Sequence, residues 1–163
     1  MQVLLVRHAM AFERDRRRWR DDRLRPLTPA GIRRFRKAAA GLKAIAKRVD
    51  RVLASPLVRA WDTAVLLQEV AGWPRPEKSR ALEPGRSPAQ TLAALREHEG
   101  KRVGLVGHEP ELSRLLAVCI GGPEARLSID MKKGGAACIV FPDAVRAGRA
   151  TLRWLAPPRV LRR

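Results

Sequence analysis

The stretch Val3-Leu4-Leu5-Val6-Arg7-His8, at the head of the chain, decides how the rest is read. Four apolar residues in a row, closed by polar ones, form the short run that a parallel sheet buries on both faces. A strand that starts at residue 2 leaves no space for a targeting segment. The first residues also lack the basic start and long apolar region of a signal peptide.

Outward from this strand, helix and strand signals alternate. Thr28-Pro29 supplies an N-cap followed by proline at the first helical position. Ile32, Phe35, Ala39, Leu42, Ala46 and Val49 then keep the 3.6-residue period. Arg51 to Ala54 reads as a second strand. Ser55-Pro56 repeats the cap-then-proline device before a helix with Leu57, Ala60, Ala64, Leu67 and Ala71 on its apolar face, which Gly72-Trp73-Pro74 ends. Ser87-Pro88 opens another helix. Val103 to Val106 is a third buried strand, and Glu109-Pro110 opens a helix through Leu112, Leu115, Leu116 and Cys119. Ala136 to Phe141 and Ala150 to Leu155 read as a hairpin at a sheet edge. Alternation of this kind predicts an α/β fold, a three-layer α/β/α sandwich whose central sheet is mostly parallel with an antiparallel edge strand. No linker or repeat interrupts residues 1–163, so a single domain is expected. Only Arg14 to Arg25 lacks a period; it reads as a loop that either flanks the site mouth or is simply solvated.

Composition narrows the class. The 163 residues are 45% hydrophobic, enough for a sizeable core. No apolar run reaches the roughly 20 residues of a membrane helix. Cys119 and Cys138 each lie in an apolar stretch, as reduced buried thiols do, and the chain reads as a soluble cytoplasmic protein. Histidines and cysteines are too dispersed for a metal site, and no glycine-rich nucleotide loop is present, so no cofactor is expected. Lys and Arg number 34 against 16 Asp and Glu, a net charge of +18. That field draws in anions without saying which.

The chemistry gathers at the strand ends, where open parallel sheets bind ligands. The first strand ends on Arg7 and His8, the second leads to Ser55 and Arg59, and the third leads to His108. Guanidinium forks, imidazoles and helix N-termini together suit a phosphoryl group. A neutral imidazole is a competent nucleophile toward phosphorus, and cationic neighbours oppose its protonation. They also stabilise the oxygens of the transferring group.

The segments LLVRHAM (Leu4 to Met10), SPLVRAWDTA (Ser55 to Ala64) and LVGHEP (Leu105 to Pro110) resemble the three signatures of the histidine phosphatase superfamily, in order and spacing. The resemblance covers nearly the whole chain. It implies a phosphoglycerate-mutase-like fold, His8 as the phosphorylated nucleophile, and Arg7, Arg59 and His108 as ligands of the phosphoryl group. RPLTPAG (Arg25 to Gly31) and MKKGGAA (Met131 to Ala137) are similar to the bacterial SixA-type phosphohistidine phosphatases. Val65 to Leu82 is too short for a cap subdomain, so a shallow site open to a phosphate on a protein surface is expected. Glu83 is the candidate for the general acid that larger branches use; an imidazole leaving group, already protonated, needs such help less. Ser55 reads as a helix cap, His98 as a bland surface residue, and Lys132 and Lys133 as a rim or a solvated turn.

Three functions follow: a phosphatase of protein phosphohistidine, a phosphatase of small phosphomonoesters by the same chemistry, or a basic module for nucleic acid or polyphosphate. The last is disfavoured, because the nucleophile and phosphate ligands are all present and no nucleic-acid motif appears. Partners are thus a phosphorylated protein or small phosphorylated substrate. Oligomeric state stays open.

Overall fold

The computed structural model describes residues 1–162. Its centre is a six-stranded sheet built from β1 (Gln2–Arg7), β2 (Arg51–Ala54), β3 (Glu77–Lys78), β4 (Arg102–Gly107), β5 (Ala136–Val140) and β6 (Thr151–Ala156), in the order β3-β2-β4-β1-β5-β6. β3, β2, β4 and β1 run parallel, β5 runs against β1, and β6 returns antiparallel to β5 at the edge. The register sets Arg7 beside Gly107 and Ala54 beside Val106, so the chemistry-bearing strand ends lie level.

The two-residue period of β1 separates the layers. Leu4 and Val6 face one core with α1 (Pro29–Ile45), α2 (Val58–Leu66) and α5 (Pro158–Leu161). Val3 and Leu5 face the other, with α3 (Pro88–Arg96) and α4 (Glu111–Gly121). The sandwich is the expected one. All four apolar residues of the opening stretch are at most 1% exposed. Burying each contributes about 1.5–3 kcal/mol. Cys119 and Cys138 are free and buried, and burial pushes the Cys119 thiol up to about 12. No described helix is long and apolar enough to cross a membrane.

Local chemistry explains most boundaries. Thr28 accepts from the Gly31 amide and Ser87 forms a capping box with Gln90, each ahead of a proline. Other expectations need correcting. α1 stops at Ile45, and Val49 packs on the core from the following loop instead of from the helix. Ser55 is not the cap of α2: Leu57, whose side chain holds no acceptor, takes that position, while Ser55 Oγ lies 2.9 Å from His108 Nε2 and accepts from the Leu57 amide at 3.4 Å. The helix after α2 passes into a π-helical turn, Leu67–Ala71, before Gly72 at φ 71° ends it. α4 begins at Glu111, with Pro110 outside it. The short β3 and α5 had no sequence signal of their own, being too brief for a period.

Candidate active site

Backbone bonds tie the three strand ends together. The His8 amide donates to the Gly107 carbonyl at 3.0 Å, and the Ser55 amide to that of Val106 at 2.9 Å. The loop after β1 is also braced from α2: Ala9 N–H donates to Thr63 Oγ1 at 3.0 Å, and that hydroxyl donates to the Arg59 carbonyl at 2.7 Å. On the opposite side the amide of Gly134 donates to the carbonyls of both Arg7 and His8 at 3.1 Å. Gly134 sits at φ 75°, a conformation open to glycine. The Arg7 side chain donates through Nη1 to the Met131 carbonyl at 2.7 Å. The segment around Met131 to Gly135 therefore cradles Arg7 and His8.

The imidazoles of His8 and His108 stand 5.1 Å apart, centroid to centroid. His8 Nδ1–H donates to the Ala9 carbonyl at 2.7 Å. That contact needs the proton on Nδ1, which leaves the lone pair on Nε2. Burial, more than charge, drives the His8 pKa down to about 3; the Ala9 bond opposes the shift, while Arg59, Arg7 and Arg25 add to it. The expectation that cations keep His8 neutral thus holds only as the smaller cause. Burial likewise takes His108 to about 2, helped by His8, Arg59 and Arg25. His108 Nε2 lies 2.9 Å from Ser55 Oγ. A serine hydroxyl donating there leaves the His108 proton on Nδ1.

Arg59 is only 5% exposed and is clamped by Asp22, whose carbonyl accepts from Nη1 at 2.9 Å and whose Oδ2 lies 3.2 Å from Nη2. The other carboxylate oxygen of Asp22 accepts from Arg25 Nε at 2.8 Å, and Arg25 also donates to the Phe12 carbonyl at 2.6 Å. Burial pushes the Asp22 carboxyl up, but the Arg25 bond and the Arg59 charge outweigh it and hold the group ionised. The loop Arg14 to Arg25 therefore flanks the site, through a short 3-10 turn at Asp22–Leu24.

Sequence reasoning gave no role to Asp22, Arg25 or Thr63, which act on the site through other residues; Arg25 and Thr63 lie inside quoted motifs, and Asp22 lies outside them. It read Ser55 as a cap.

Arg7 Nε, Arg59 Nε and His108 Nδ1 are each buried without a protein partner. A buried N–H left unpaired costs roughly 1–3 kcal/mol, so three on neighbouring residues suit the oxygens of one phosphoryl group. Both imidazoles are nearly covered: His8 and His108 are 6% and 3% exposed. Glu83 follows the 3-10 turn Arg80–Leu82, which packs on the end of β4, and its carboxylate lies 3.9 Å from Arg86. Glu109, next to His108, is a second carboxyl: burial pushes its pKa up, against a bond from Ser113 and the charge of Arg7.

Residues 3–84 match the model of the histidine phosphatase superfamily (branch 1). An uncharacterized protein of Picosynechococcus sp. is 32% identical over 138 residues, 83% of this chain and 82% of that protein. The structure of the protein histidine phosphatase SixA complexed with tungstate superimposes with a TM-score of 0.83 at 27% identity, over 99% of both chains. A phosphoserine phosphatase of Entamoeba histolytica shares the fold, with a TM-score of 0.67 at 17% identity, over 97% of this chain and 98% of that one.

Proposed function

Because the chain belongs to the histidine phosphatase superfamily, we propose that this phosphatase works through a covalent phosphohistidine on His8 and that its substrate is phosphohistidine of another protein. In the first step the Nε2 lone pair of His8 attacks phosphorus, and the bond from phosphorus to the substrate imidazole breaks. That imidazole leaves with the proton it already carries on its other nitrogen, so it departs neutral. Water then attacks phosphorus, the bond to His8 Nε2 breaks, and inorganic phosphate leaves with His8 restored. Arg7, Arg59 and His108 Nδ1 stabilise the phosphoryl oxygens in both steps.

The observation that carries this reading is the His8 imidazole, fixed by its Nδ1–H bond to Ala9 beside three unpaired buried donors. Likeness to the protein histidine phosphatase SixA supports the substrate class. Glu83 is proposed as an acid only for substrates with poorer leaving groups.

A rapid-quench experiment tests the scheme. Mixing the enzyme with a phosphohistidine protein is expected to place acid-labile, base-stable phosphate on His8, and none on the His8→Ala variant. Turnover of small phosphomonoesters alone, with the phosphohistidine protein untouched, would replace the substrate assignment while keeping the chemistry.

A further inference from the structure

Beyond the catalytic residues, a band of positive charge lines a groove of three adjoining hollows around α1 and α5. It is bordered by Arg33, Arg34, Lys37, Lys133, Arg159 and Arg162. Its inner end is formed by the backbone of Ala9 and Met10, one and two residues beyond His8, and by Gly134, whose amide holds the His8 carbonyl. The groove is therefore continuous with the loop that carries the nucleophile.

Among the described residues none of these six cations pairs with a carboxylate; Asp130, at the far end, is engaged by Lys132 at 2.5 Å. Arg33 and Lys37 lie one turn apart on the same helix, a spacing at which like charges destabilise it. Six unpaired cations along three adjoining hollows that share Arg162 repel each other, and an anionic occupant would relieve that repulsion. The aromatic ring lining the groove, Phe35, is 2% exposed and offers no face for base stacking, which argues against single-stranded nucleic acid.

We propose that this groove is a docking surface for an acidic segment of the phosphoprotein substrate, lying next to its phosphohistidine. The inference rests on the protein-phosphohistidine reading above. Glutamates or aspartates beside the phosphohistidine settle among the six cations while the phosphoryl group reaches His8. Charge at the rim then acts on encounter and binding, and leaves the chemical step alone.

The test compares two phosphohistidine peptides that differ only in flanking residues, four glutamates in one and four serines in the other. The wild type is expected to show a KM about tenfold lower for the acidic peptide at low salt, a preference that fades as salt rises. The triple variant R34E/K37E/R162E should lose the preference while keeping the wild-type kcat on the serine peptide. The milder R34Q/K37Q variant, with an unchanged melting curve, should lose part of it. Equal KM values for both peptides in the wild type, or a preference that survives the triple substitution, would overturn the docking surface. A dT homopolymer that binds the wild type more tightly than the acidic peptide, and is released by the same variants, would assign the groove to nucleic acid and overturn it too. Hydrolysis of neither peptide, alongside turnover of small phosphomonoesters, would instead remove the substrate reading itself, and the docking surface with it.

Discussion

At the scale of single residues, the candidate site holds two neutral imidazoles among fixed cations. His8 would be a poor nucleophile if protonated, and burial prevents protonation more than the arginines do. In the proposed mechanism the arginines serve the phosphoryl oxygens, which requires their forks to be held in one orientation. Asp22 performs that holding for Arg59 and Arg25 at once. It touches no reacting atom; it is a positioning residue. We expect Asp22→Asn to lower kcat/KM by roughly 10- to 100-fold, since catalytic groups lose heavily from small displacements. Asp22→Glu, which keeps the charge, should recover part of the loss. Steady-state kinetics with an unchanged circular dichroism spectrum checks this; a wild-type rate in Asp22→Asn would show that Arg59 needs no clamp.

At the scale of elements, the close packing of α1 on the loop after β1 sets where His8 can stand. Gly31, in the first turn of α1, lies against the Met10 carbonyl; a Cβ there would sit 2.0 Å from that oxygen. Helix propensity alone would make Gly31→Ala stabilising by up to about 1 kcal/mol. The clash predicts the opposite sign. We expect a loss of roughly 1–3 kcal/mol in urea unfolding, as for other overpacked sites. Catalytic efficiency should drop with it, because Met10 cannot move without moving the loop of His8. A stabilised, fully active Gly31→Ala enzyme would refute the argument. The motif Arg25 to Gly31 thus has a mechanical meaning: Arg25 reaches Asp22, Thr28 caps α1, and Gly31 admits the loop.

At the scale of the whole molecule, burial of two neutral histidines links stability to pH. An unfolded histidine titrates near 6.5, whereas His8 and His108 in the fold titrate at about 3 and about 2. Between those values the unfolded chain binds more protons than the folded one. Stability is therefore complete above pH about 6.5 and falls on acidification, by up to about 1.4 kcal/mol per pH unit for each histidine. Urea midpoints measured from pH 7.5 to 5 should fall accordingly, and His8→Asn should flatten the slope by about one proton. An unchanged slope in that variant would mean that His8 is charged in the fold. The same scale shows what could be read beforehand. Alternating apolar runs and proline-marked caps determined the longer strands, the starts of α1 and α3 and the three-layer sandwich, because those signals act between residues close in sequence. The residues Arg7, His8, Arg59 and His108 were nameable from their motifs. Only the tertiary structure decided that burial outweighs charge in keeping His8 neutral, that Ser55 serves His108 instead of a helix, and that Asp22 clamps Arg59 from 37 residues away. These depend on distances through space between segments remote in sequence, which no local pattern of letters encodes.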